Sequence, residues 1–160
     1  MARLTLELPE TFVFSCQQVV RVTDLNYANH LGNDAMISLL HEARCQFLAH
    51  FGFSESDIDG LGLMVTDLAT IYKSECFAGE ELTFEVGVMD FNKYGCDVIY
   101  RVTKNEGQTN PEQTNQEQTN QGQTSQVQTL VAQAKNGVVF FDYHQRKLAH
   151  VPEIFRTAFE

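Results

Sequence analysis

Apolar side chains at 36, 39, 40, 43 and 47 recur at three- and four-residue spacing, and this predicts a helix over Asn33–His50. Asn33 stands where an N-cap is expected, Asp34 where the helix dipole favours an anion, and Gly52 just past the end. Ile37, Cys45 and Leu48 widen the apolar stripe, so the helix is expected to be wrapped by other elements rather than packed on one face. Around it the pattern changes to that of strands. Residues 12–23 are rich in Val and Phe; residues 63–74 form a second run; residues 81–91 put Leu82, Phe84, Val86 and Val88 on one face and Thr83 and Glu85 on the other. Residues 96–103 continue the alternation through Val98, Tyr100 and Val102. Residues 130–143 make a last long strand ending in VVFF, and residues 152–159 a short helix. One long helix after the first strand, followed by a meander, is an α+β pattern in which a curved antiparallel sheet of about five strands wraps a central helix. A sandwich with the helix on an open face is the alternative, and it would need a more polar outer side on Asn33–His50.

One stretch interrupts the pattern. From 108 to 129 the chain reads QTNPEQTNQEQTNQGQTSQVQT, a five-residue polar repeat within an insertion spanning 105–129. With almost no apolar surface to bury it cannot offset the entropy of ordering, and it is expected to be a solvated loop between two strands. Extension of a hairpin by its Gln and Thr residues is the other reading. The 160 residues otherwise fit one domain, 1–160.

The formal net charge of −10 excludes general affinity for nucleic acid or an anionic membrane, both of which need a positive field. No stretch has the length and apolarity of a membrane span, and the first ten residues alternate instead of forming a signal-peptide core, so a cytoplasmic location is expected. Four cysteines, Cys16, Cys45, Cys76 and Cys96, show neither a CxxC pair nor a neighbouring His at ligand spacing. They are read as reduced thiols, and no metal or other cofactor is expected.

The chemistry gathers before the helix. VTDLNYANHLGNDAMISLLHEAR at 22–44 resembles the signature of hotdog thioesterases related to 4-hydroxybenzoyl-CoA thioesterase and to the plant acyl-carrier-protein thioesterases: D-x-D, then N-x-H, Asn, a helix and E-A-R. Asp24, His30, Asn33, Glu42 and Arg44 fall at those places. IYKSECFAGEEL is similar to a second family stretch and VVFFDYHQRKLAHVP to its closing strand, so the resemblance covers nearly all of the chain outside the repeat. It implies the hotdog fold, hydrolysis of an acyl-CoA or acyl-carrier-protein thioester, and a homodimer or dimer of dimers with its cleft between protomers.

The second Asp of D-x-D, a base or nucleophile in many relatives, is Asn26 here, and an amide cannot take a proton at neutral pH. Aligned without gaps, the plant site of Asp, Asn, His and Glu becomes Asn26, Ala28, His30 and Glu75. The resemblance thus implies Glu75 as general base, its pKa raised by partial burial, with His30 next. The helix start, Gly32 and Asn33, would supply backbone N–H groups for the oxyanion. Each residue also has a plain structural reading. His30 would brace the loop, Glu75 would be a solvated strand-end carboxylate, and Asp24 would bond loop amides; Glu42, a catalytic candidate because the resemblance implies a family in which some enzymes carry a catalytic carboxylate on this helix, could instead pair with Arg44 across the dimer. Cys76 beside Glu75 lacks a partner base for a nucleophile's role. Lys73, Lys93, Arg101 and Lys147 are the cations considered for CoA phosphates. A protein that binds acyl-CoA without cleaving it is the competing function. A hotdog dehydratase is disfavoured because its G-D-x-N-P-x-H string is missing.

Overall fold

A computed structural model describes residues 4–105 and 128–160. Strand β1 (Phe14–Val19) leads through a 3-10 turn (Val22–Asp24) to helix α1 (Asn33–His50). Strands β2 (Gly62–Tyr72), β3 (Glu81–Met89), β4 (Gly95–Asn105) and β5 (Gln128–Asp142), a two-residue strand β6 (Lys147–Leu148) and helix α2 (Glu153–Phe159) follow. All strand pairings are antiparallel, in the order β1-β3-β4-β5-β2, with β6 added to the end of β5.

Alternation decides which side of the sheet meets the helix. Leu82, Phe84 and Val86 of β3 and Val98, Tyr100 and Val102 of β4 are buried with Leu40, Ala43, Phe47 and Leu48 of α1 in one core. The register puts like with like: Phe84 faces Val102 and Val86 faces Tyr100 across the β3–β4 ladder. Phe155 and Phe159 of α2 close the core at the C-terminal end of α1, with ring centroids 4.7 Å apart and Phe159 5.1 Å from Phe47.

The long elements lie where the periodicity puts them, while the sheet has a sixth, very short strand. β1 is shorter than the expected 12–23, because Asp24 accepts from the Arg21 backbone N–H and ion-pairs with the Arg21 side chain, curling residues 22–24 out of the sheet. Gly32, not Asn33, is the N-cap, and no side chain caps the helix. Leu48 is buried as expected, but Ile37 is 40% exposed, so one flank of α1 is left open in the protomer. Of the polar insertion, residues 106–127 lie outside the described residues. Its last two, Gln128 and Thr129, are already strand, paired with Asn105 and Lys104. Among the described residues no helix is long and apolar enough to cross a membrane.

Candidate active site

The loop entering α1 is held by its own backbone. Asn26 N–H donates to the His30 carbonyl (2.9 Å) and Asn29 N–H to the Asn26 carbonyl (3.0 Å), a tight turn in which Asn29 takes φ +62°. Two further bonds fix the turn's place in the molecule. Gly32 N–H donates to the Asp24 carbonyl (2.9 Å) and Leu31 N–H to the Cys76 carbonyl (2.8 Å). The second bond brings the segment after β2, which carries Glu75, beside His30. That segment is anchored from behind, with Lys73 and Ser74 N–H groups donating to the Val131 carbonyl and the Lys104 ammonium to the Glu75 carbonyl (2.8 Å).

These constraints open a cavity of about 330 Å³ at the N-terminal end of α1. Asn26, His30, Gly32, Asn33, Lys73 and Glu75 line it together with the apolar Leu31, Met36 and Val131. His30 Nε2 lies 4.0 Å from a Glu75 carboxylate oxygen. Asn26 Oδ1 accepts the Ala28 N–H at 2.8 Å, so its NH₂ group is the part turned to His30 Nδ1, at 3.3 Å. An NH₂ group can only donate, which favours the imidazole hydrogen on Nε2, the nitrogen facing Glu75, whereas the Leu31 carbonyl, 3.5 Å from the same Nδ1, favours it on Nδ1.

At the helix start, the first intrahelical bond runs from Met36 N–H to the Gly32 carbonyl (3.0 Å), leaving the amides of Asn33, Asp34 and Ala35 without a helical acceptor. Asn33 borders the cavity and Asp34 does not. The Tyr72 hydroxyl donates to the Asn33 carbonyl (3.0 Å) and ties this turn to the end of β2.

The structure gathers six of the sequence's candidates and separates the rest. Glu75, His30, Asn26, Gly32, Asn33 and Lys73 share the cavity, but the Gly32 N–H is spent on Asp24, and the Glu75 side chain is 69% exposed rather than partly buried in the protomer. Asp24 is buried and lies outside the cavity. The hydrogen bonds from Arg21 hold its carboxyl below the usual carboxylate range, against the opposing effect of burial, so it braces the loop. Glu42 accepts from Gln46 (2.8 Å), about 14 Å along the helix axis from Asn33. Within the protomer Arg44 is buried and donates to Glu55 and to Asn136, each at 2.6 Å.

Among the cations, Arg101 alternates with the buried Tyr100 and Val102, pairs with Glu85 on the outer face of the sheet, and stacks on Phe12. Lys93 and Lys147 belong to the far end of the sheet, about 30 Å away by strand length, since β4 and β5 run in register from Gly95 and Val139 at that end to Asn105 and Gln128 at this one. Cys76 is buried, and burial pushes its thiol up to about 11, which denies it a thiolate at neutral pH. Sequence reasoning missed Tyr72, Met36 and Val131. Tyr72 is half-exposed, and its hydroxyl bond to the Asn33 carbonyl, 39 positions away, is what makes it a neighbour of the helix start.

Comparison with known proteins supplies the context for this geometry. The model of the Thioesterase-like superfamily matches residues 20–159. No curated protein matches the chain. Among solved structures it is similar to a 1,4-dihydroxy-2-naphthoyl-CoA thioesterase from Synechocystis (17% identity over 91% of this chain and 93% of that one, TM-score 0.70). It is also similar to a 4-hydroxybenzoyl-CoA thioesterase, crystallised as an aspartate-to-asparagine variant with its substrate (16%, 92% and 98%, TM-score 0.71). A Staphylococcus aureus protein in complex with CoA matches as well (18%, 96% and 84%, TM-score 0.71). At these identities the structural likeness establishes the hotdog fold.

Proposed function

Because the chain belongs to the thioesterase-like superfamily and is a thioesterase, we propose that its substrates are acyl-CoA thioesters and that Glu75 is the general base. The observation that carries this reading is the convergence of the His30–Glu75 pair and the open start of α1 on one cavity with an apolar inner wall. In it, the acyl group lies against Leu31, Met36 and Val131, and the thioester carbonyl faces the Asn33 N–H. Glu75 takes a proton from water as the water oxygen bonds to the carbonyl carbon. Charge then develops on the carbonyl oxygen, where a free amide at a helix N-terminus is most favourable. The C–S bond breaks, and the proton held by Glu75 passes to the leaving CoA sulfur. His30, its Nε2–H aimed at the carboxylate by Asn26, orients that base. Lys73 at the cavity wall is the cation suited to a CoA phosphate.

The exposure of Glu75 in the protomer points to a second copy as the missing wall. β2 is the terminal strand of the sheet, and Met64, Val65, Leu68 and Tyr72 on it are 38–48% exposed, as is Ile37 of α1 at 40%. An open strand edge with apolar side chains is suited to pairing with a copy of itself, which supports a homodimer.

A panel of acyl-CoAs tests the reading. Glu75→Gln should lose about 10²- to 10⁴-fold in kcat with binding intact, the usual worth of a positioned base, and His30→Ala a smaller factor. An unchanged rate in Glu75→Gln would remove that residue from the mechanism. The second reading, binding without cleavage, is favoured by one observation, the amide at Asn26 where relatives carry a carboxylate. Saturable acyl-CoA binding with no turnover at any chain length would establish it in place of hydrolysis.

A further inference from the structure

Away from the cavity, His41, Cys45 and Glu55 bring one nitrogen, one sulfur and one carboxylate oxygen within 4.8 Å of one another. His41 and Cys45 are one helical turn apart on α1, and Glu55 comes from the segment that leads into β2. We infer that these three side chains form a binding site for a transition-metal dication of the Zn²⁺ class, clipping α1 to that segment and leaving one coordination position open.

The geometry is close to what such an ion needs. With metal–nitrogen and metal–oxygen bonds of about 2.0 Å and a metal–sulfur bond of about 2.3 Å, ligand atoms in a tetrahedron stand roughly 3.5 Å apart. His41 Nε2 and Glu55 Oε2 are 2.9 Å apart in the hydrogen bond that the metal would replace. The required shifts are therefore of the order of an ångström, on a His41 side chain that is 56% exposed and free to make them. Glu55 is already placed by other bonds. Arg44 Nε holds its Oε1 at 2.6 Å, leaving Oε2 for the site, and the Glu55 carbonyl accepts the Leu63 N–H at 2.7 Å. Such outer support of a ligand carboxylate is what metal centres use to fix their donors.

The neighbouring charges determine which ion fits. Arg44 is a fixed cation beside Glu55, so the site cannot rely on negative charge as Ca²⁺ and Mg²⁺ sites do. Selection falls instead to the thiolate and imidazole, which suit Zn²⁺ or Co²⁺. A thiol binds as thiolate, so its proton must leave as the metal–sulfur bond forms, and occupancy should rise with pH.

The experiment uses the full chain, stripped of metal by chelator under reducing conditions and titrated with Co²⁺ as a spectroscopic probe. The expected result is one Co²⁺ per chain, with a thiolate-to-cobalt charge-transfer band and tetrahedral d–d absorption, displaced by Zn²⁺. Cys45→Ser should abolish the charge-transfer band while Cys16→Ser retains it. His41→Gln and Glu55→Gln, the latter keeping an acceptor for Arg44, should each weaken binding by about tenfold or more. Absence of the band in the wild-type chain, or its persistence in Cys45→Ser, overturns the assignment.

Discussion

Replacing Asn136 with Leu should be among the most damaging conservative-volume changes in this protein. Asn136 is 1% exposed, and its Oδ1 accepts from both the Arg44 guanidinium at 2.6 Å and the Tyr100 hydroxyl at 2.9 Å. Burial, only partly opposed by Arg44, holds the Tyr100 phenol far above its ordinary value, so it remains a donor. Leucine removes the acceptor shared by two buried donors, the Tyr100 hydroxyl and Nη1 of the charged Arg44, which keeps Glu55 at its Nε. A stranded donor costs about 1–3 kcal/mol, and together they should cost about 3–5 kcal/mol. For a chain of this size that is roughly a 10 °C fall in Tm. Tyr100→Phe removes one donor and leaves Asn136 bonded to Arg44, so it should cost only about 1 kcal/mol.

The double variant is the sharper measurement. With the hydroxyl gone, Asn136→Leu strands only Arg44, so the pair should be less destabilised than Asn136→Leu alone, well below additivity. Urea unfolding monitored by circular dichroism gives all three values. If Asn136→Leu costs less than about 1 kcal/mol, or the two changes simply add, the desolvation argument is wrong.

Three further outcomes follow from other features. A Cβ at Gly95 would fall 1.8 Å from the Val138 carbonyl oxygen, whereas one at Gly32 would meet only the Asp34 carboxylate tip at 2.5 Å; Gly95→Ala should therefore unfold at much lower denaturant than Gly32→Ala. The Asp24 carboxyl is depressed by Arg21, so the unfolded chain binds its proton first as pH falls. Its stabilisation is present above about pH 4 and disappears as pH drops through the lower folded value, and Arg21→Met should flatten that part of a stability–pH curve. If β2 is the self-association edge, Leu68→Lys should shift the chain from dimer to monomer in light scattering and reduce turnover with it. A monomeric variant with full activity would refute the shared cleft.

What the sequence disclosed follows the range of the interactions involved. The span of α1 and the inward faces of β3 and β4 came from periodicities confined to neighbouring residues, and burial enforces those periodicities directly. The partners of Arg44 within the protomer were not legible because Glu55 and Asn136 lie 11 and 92 positions away, brought to it by the segment before β2 and by β5 packing on α1. The end of β1 was misplaced because Val22 favours extension while the Arg21–Asp24 pair curls the chain. The reading that no cysteine has a His at ligand spacing is corrected by His41 and Cys45, four residues apart on α1, which is a ligand spacing on a helix.

The least legible feature is also the one on which the proposed chemistry turns. Read as a letter, Asn26 is a lost base. In place it has a different role, because the Ala28 amide claims its oxygen and thereby presents its NH₂ group to His30. An aspartate there would accept from Nδ1–H and free Nε2 as a lone pair, whereas the asparagine NH₂ group favours the opposite tautomer, against the pull of the Leu31 carbonyl 3.5 Å from Nδ1. In that tautomer the Nε2–H faces Glu75, 4.0 Å away, and the imidazole has no lone pair at that nitrogen to act as base. In the proposed hydrolysis, then, the substitution at 26 and the carboxylate at 75 are one arrangement. In that proposal the proton acceptor lies on the segment after β2 rather than on the loop before α1, and the Asn26 NH₂ group favours the histidine tautomer that this position would need.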